Sequence, residues 1–198
     1  MALIAPGIIQ PIVRTWATRP TAANYSGHVI FISDAGTSGA LFRSDGTNWV
    51  PMAPITYLDS PQAAITGSLT ETALATITIP GGLLGTKGQI EVSALWSYTN
   101  NANSKSLKVK LGATAFLSVS KTTTANDQTY TRIMNLTAST QEGLTNASEG
   151  AVGATAIANT TGAIDTTADA ALTLTATLGN VADTITLKSY IAKLFPRN

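Results

Sequence analysis

From Gly81 to Gly112 the chain reads GGLLGTKGQIEVSALWSYTNNANSKSLKVKLG. Ile90, Val92, Ala94, Trp96 and Tyr98 fall on alternate positions, with Gln89, Glu91, Ser93 and Ser97 between them. A period of two puts every apolar side chain on one face of an extended strand. The turn that follows, Thr99 to Ser104, is rich in Asn, which tolerates left-handed backbone and bonds its own main chain. Leu107, Val109 and Leu111 then alternate with Ser106, Lys108 and Lys110, which predicts a second strand and hence a half-buried hairpin. A helix cannot use this pattern, so the hairpin commits the chain around it to a β framework.

The same signal recurs on either side. Ala73 to Ile79, Phe116 to Ser120 and Thr129 to Leu136 read as strands, the last with Tyr130, Arg132, Met134 and Leu136 on one parity and Thr129, Thr131, Ile133 and Asn135 on the other. Leu172 to Leu178 alternates against threonine, Gly179-Asn180 turns, and Thr184 to Phe195 is long, β-branched and aromatic. Between Ala138 and Asp169 the periodicity fails in Ala, Thr, Gly and Asn. A structureless stretch of that length is rare in a compact domain, so short strands are expected near Gly150 to Ala158. Seven or eight strands from about residue 65, with no helical pattern, predict a jelly-roll-like β-sandwich over 65–198.

Ahead of the sandwich, His28 to Ser33, Ala40 to Arg43 and Trp49-Val50 are separated by Asp34-Ala35-Gly36 and Asp45-Gly46, which predicts a small β meander over 19–55. A meander of roughly 35 residues buries too little to stand alone and needs a surface to pack against. Pro51, Pro54 and Pro61 bracket an aperiodic segment, and 56–64 reads as a linker. Pro6 and Pro11 forbid a continuous helix at the start, so 1–18 reads as an extended docking arm carrying Leu3, Ile4, Ile8, Ile9, Ile12 and Val13. That segment has no basic leader and is too short to cross a bilayer, so neither a secretory signal nor membrane insertion is expected.

Composition narrows the chemistry. The 198 residues include 12 basic and 11 acidic, a net charge of +1, and only 12% are charged, which leaves no field to draw in nucleic acid. Cysteine is absent and His28 is the one histidine, so zinc sites built from those ligands are excluded and no metal or cofactor is expected. Ser26, Ser33 and Asp34 are near His28 in sequence but show no nucleophile signature. Glu142 with Glu149, or Asp165 with Asp169, are the carboxylate pairs that a glycosidase would need to bring together. Gly81 to Gly88 lacks the Gly-Lys-Ser/Thr order of a phosphate loop. The expectation is a protein without catalytic activity. Candidate ligand contacts are Trp49, placed just after a turn, and the loop amides Asn100, Asn101, Asn103, Asn146 and Asn159, whose hydrogen-bonding groups suit sugar hydroxyls.

The segments RPTAANYSGHVIFISDAG and LFRSDGTNWVP resemble the short β-module of tail-fibre and related structural proteins of tailed bacteriophages. IPGGLLGTKGQIEVSALWSYTNNANSKSLKVKLG and LTATLGNVADTITLKSYIAKLFP resemble the C-terminal sandwich domains of similar virion proteins, so the likeness covers most of 19–198. It implies a virion component made in the host cytoplasm, associating with itself as a homotrimer and with other virion proteins of the tail, the baseplate or the capsid shell. Two placements follow from it: a tail fibre or tail tip whose sandwich attaches to host-surface glycan, or a capsid decoration protein that clamps neighbouring shell subunits.

Overall fold

A computed structural model of the chain describes residues 12–145 and 158–197. The chain is all-β and divides into two compact units, Met1–Ile55 and Thr56–Asn198.

In the first unit β1 (Ile12–Arg14), β2 (Val29–Ile32), β3 (Ala40–Ser44) and β4 (Trp49–Pro51) form one sheet in that order, with a short 3-10 turn at Ala22–Tyr25. β1 runs parallel to β2, and the other pairs are antiparallel. Ile12 to Thr18 therefore belong to this unit and not to a free arm: β1 joins the sheet, and Trp16 is buried with its ring 5.3 Å from Phe42. Leu3, Ile4, Ile8 and Ile9 lie outside the described residues. Ile30, Ile32, Phe42 and Trp49 complete the small core beneath the sheet.

The second unit is a sandwich. Its smaller sheet has the order β10 (Thr114–Lys121), β9 (Lys105–Leu111), β14 (Ala170–Leu178), β7 (Thr72–Ile79). The larger runs β13 (Ala158–Gly162), β12 (Thr140–Thr145), β11 (Asn126–Thr137), β8 (Gln89–Tyr98), β15 (Thr184–Phe195), β5 (Ile55–Asp59), with β6 (Ala63–Thr66) also paired to β15. The chain changes sheet from β6 to β7, β7 to β8, β8 to β9, β10 to β11, β13 to β14 and β14 to β15, the crossing habit of a jelly-roll-like sandwich, while β5–β6, β9–β10 and β11–β12–β13 stay within one sheet. Leu107, Val109, Leu111, Leu172, Leu174 and Ile77 face Ile90, Val92, Trp96, Ile133, Ile185 and Leu194 across the core.

Two further expectations are corrected. The segment 56–64 is not a linker, because β5 and the start of β6 lie within it and extend the large sheet at β15. The strands outnumber the seven or eight expected: β12 and β13 occupy part of the stretch where periodicity fails. Of the strands expected at Gly150 to Ala158, only Ala158 is described, and it opens β13. Here Gly143 and Gly162 make the structure. A Cβ on Gly143 would stand 2.9 Å from Phe116 Cδ1 and one on Gly162 2.7 Å from Phe116 Cζ, so the ring of this fully buried residue fills the space where side chains are missing.

Candidate functional site

The strand pairings of the first unit sort its side chains onto two faces. Ile30, Ile32, Phe42 and Ser44 point inward, and Trp49, opposite Ser44, follows them. The remaining parity points outward, and it is as apolar as the core. Val13 stands beside Phe31, Phe31 beside Leu41, and the Met52 amide donates to the Leu41 carbonyl at 2.9 Å, making one row. Val29, Arg43 and Val50 make the next. Val13 (58% exposed), Met52 (59%), Val50 (44%), Leu41 (41%) and Val29 (37%) are open to solvent, and Arg43 is the one charged side chain within the two rows. Isolated exposed aliphatics are ordinary, but a contiguous set across a whole sheet marks a surface that is normally covered.

The inner side is well tied. The Trp49 indole N–H donates to the Pro20 carbonyl at 2.7 Å, the Ser44 hydroxyl to the Ala22 carbonyl at 2.7 Å, and the Trp16 amide to Asp34 Oδ1 at 2.7 Å. Arg19 lies 3.6 Å over the Trp16 ring. Trp49 is thus a core residue and not a ligand contact. The Asp45-Gly46 turn, whose carboxylate accepts from the Thr47 and Asn48 amides, sets the register that brings its ring inward. His28 rests its Nδ1 against the Tyr25 and Ser26 carbonyls and its ring edge-on to Tyr25, a turn contact with no nucleophile in it.

The loop amides are placed differently from a glycan-binding cluster. Asn100 is exposed at the β8–β9 turn. Asn101 is committed to structure: its Nδ2 donates to Asp183 Oδ1 at 2.6 Å, and its Oδ1 accepts from Lys105 Nζ at 2.5 Å and from the Asn103 amide at 3.0 Å. The Asn103 carbonyl also accepts from Lys105 Nζ, at 2.8 Å. Asn159 donates to Glu142, and β12 and β11 separate its strand from β8. Asn146 lies outside the described residues. Asn101 and Asn103 therefore gather around an ammonium group, while Asn100 stays open to solvent. Glu149 is also outside the described residues, while Asp165 accepts from Thr167 within its own turn and Asp169 accepts from the distant Gly81 amide, so each of the second pair is engaged in structure.

Sequence reading missed the centre of this cluster. Lys105 is fully buried, and the buried Asp183 places Oδ2 3.7 Å from its Nζ. The signal was available, because Lys105 shares the parity of Leu107, Val109 and Leu111, and a charge in phase with a core stripe needs a buried partner. A hydrogen bond from Asn101 outweighs burial and holds the Asp183 carboxyl below its usual range, with Asn103 and Lys105 adding to the effect.

On the outer face of the smaller sheet, Glu71 accepts from Lys108 at 2.6 Å, Lys110 at 3.2 Å and the Thr175 hydroxyl at 2.9 Å. The Lys108 hydrogen bond chiefly lowers its pKa to about 2, against a smaller opposing effect of burial. With the folded value below the unfolded one, the stabilisation is present above the unfolded pKa and lost as pH falls toward 2. All three charged side chains remain partly in water, so Glu71→Gln should cost only about 1 kcal/mol at pH 6. Urea titrations of both proteins should show that difference shrinking to nothing near pH 2.

Among the described residues no group of three or more His, Asp or Glu side chains is placed to hold a metal, and no helix is long and apolar enough to cross a membrane. No family model and no curated protein matches the chain. Solved structures with a related arrangement include dimeric latent PorU from Porphyromonas gingivalis, 10% identical, covering 71% of this chain and 12% of that one with a TM-score of 0.37. Another is the infectious bursal disease virus Gx strain, 10% identical, covering 80% of this chain and 50% of that one with a TM-score of 0.31. The chain spans half the length of the second and much less of the first. Likenesses of this grade carry no argument about what the chain does.

Proposed function

We propose that this chain is a non-enzymatic structural protein of a tailed-phage particle, of the tail-fibre or tail-tip kind. Copies assemble as a homotrimer through the first unit, and the sandwich is the body presented to the host surface. The observation that carries the reading is the apolar outer face of β1 to β4. Stable domains are built from at least two layers, and among the described residues this unit has one sheet with core side chains on one side only. Three copies turned inward about an axis supply each other's missing layer and leave no such face in water. The resemblance of RPTAANYSGHVIFISDAG and LFRSDGTNWVP to phage β-modules supports the setting.

Light scattering on the full chain tests the assembly. The expected result is a trimer that dissociates when Leu41→Glu and Val50→Glu are introduced together, with an unchanged β-type circular dichroism spectrum, because both side chains already point to solvent. A monomeric parent protein at micromolar concentration overturns the proposal, and a dimer keeps self-association while removing the three-fold arrangement. Antibody labelling of particles should mark the tail, and the purified protein should compete with adsorption to host cells. Labelling of the shell instead replaces this reading with capsid decoration.

A further inference from the structure

The Lys105 cluster holds the parts of a reaction as well as those of a salt link. Its ammonium is fully buried and lies against the Asn101 side-chain amide, with Nζ 2.5 Å from Oδ1. Asp183 spans the same two groups: Oδ1 accepts from Asn101 Nδ2 at 2.6 Å, and Oδ2, which accepts no hydrogen bond, faces Nζ at 3.7 Å. The Asn103 amide donates to Asn101 Oδ1 at 3.0 Å, where negative charge would gather if the carbon were attacked. Amine, carboxamide, proton carrier and oxyanion donor are thus assembled in one buried place, held by the β8–β9 turn and the segment leading into β15.

We propose that Lys105 and Asn101 condense into an intramolecular amide, with Asp183 carrying the proton. Asp183 Oδ2 takes one proton from the ammonium, an uphill transfer because the Asn101 hydrogen bond holds that carboxyl below its usual range, and the freed amine attacks Asn101 Cγ. A C–N bond forms while the carbonyl electron pair moves onto Oδ1, held by the Asn103 N–H. On collapse the Cγ–Nδ2 bond breaks, and the departing nitrogen collects the proton shed by the attacking nitrogen and the one carried by Asp183. One ammonium and one carboxamide become one secondary amide and one ammonium ion, Asp183 is restored, and no oxidant, reductant or co-reactant is required. The product consumes the two groups that face the buried Asp183 carboxylate, the Lys105 ammonium and the Asn101 Nδ2–H. It also closes the turn between Asn101 and Lys105 into a covalent ring.

Intact-mass measurement on the full chain tests this directly. The expected mass is lower than the sequence mass by one ammonia, and tryptic digestion should leave Lys105 uncut within a peptide running from residue 88 to 108. Lys105→Met should restore the full mass. A succinimide at Asn101 also loses ammonia, but it reopens in mild base and leaves trypsin free to cut after Lys105, so that behaviour overturns the proposal. So does a parent protein at full mass. Neither result touches the assembly proposed above, whose readout is the mass of the oligomer.

Discussion

Phe42→Ala melts the first unit while the second stays folded. Phe42 is fully buried, packs against Trp16 and lies at the centre of a core whose other large members are Ile30, Ile32 and Trp49. Removing a buried aromatic ring costs about 3–5 kcal/mol. A unit of this size holds a total stability of the same order. No neighbouring side chain can collapse into the gap, because the Trp16 amide is fixed to Asp34 and the Trp49 indole to Pro20. Two of the three tryptophans, Trp16 and Trp49, are in this unit, so fluorescence of a Trp96→Phe background should report its loss alone. Circular dichroism should retain the larger β signal. A single transition shared by both units and lowered as a whole by Phe42→Ala would show that they do not fold independently.

Trp96→Ala should cost the sandwich about 3–5 kcal/mol. The side chain is 1% exposed toward the C-terminal end of β8, the strand that pairs with both β11 and β15, and its indole N–H donates to the buried Thr129 hydroxyl at 2.9 Å. Alanine leaves both a cavity and a hydroxyl without its donor. Trp96→Phe fills most of the space but keeps the second defect, so it should fall between parent and alanine, and Thr129→Val on that background should recover part of the loss. The measurement is the denaturant midpoint of the second unit. Equal midpoints for parent and Trp96→Ala would mean that the large sheet is held together elsewhere.

What could be read from sequence followed from how each strand is exposed. β8 and β9 were plain because one face is buried and the other wet, so hydrophobicity alternates from Ile90 to Tyr98, broken only by the exposed Leu95, and from Leu107 to Leu111. β11 gave two parities of mixed character, and its buried one is Thr129, Thr131, Ile133 and Asn135, whose polar groups find partners in Trp96, Phe116 and Thr166. β5 and β6 were hidden by their shortness and by the prolines around them. They are strands because β15 offers them a long edge, a tertiary cause with little local trace. β12 and β13 were hidden by their glycines, since the apolar residue they cover, Phe116, lies on another strand. Trp49 misled because a residue just beyond an Asp-Gly turn looks exposed until the register opposite Ser44 turns it inward. Lys105 was the reverse case: its position was legible, while the carboxylate that receives it lies far along the chain in the segment before β15.

The place of β15 sets an order on synthesis. It pairs with β8 along nearly its whole length and holds β5 and β6 on its other side, so those two early strands have no partner in the large sheet until Phe195 has left the ribosome. The first unit has no such debt, being complete once Ile55 has emerged. A nascent chain therefore carries all the strands of its N-terminal sheet, with the apolar face open, through the whole interval in which the sandwich waits for β15. If copies associate through that face as proposed, neighbouring chains on one messenger can meet before any of them has closed its sandwich, and assembly becomes an event of translation and not of the finished protein.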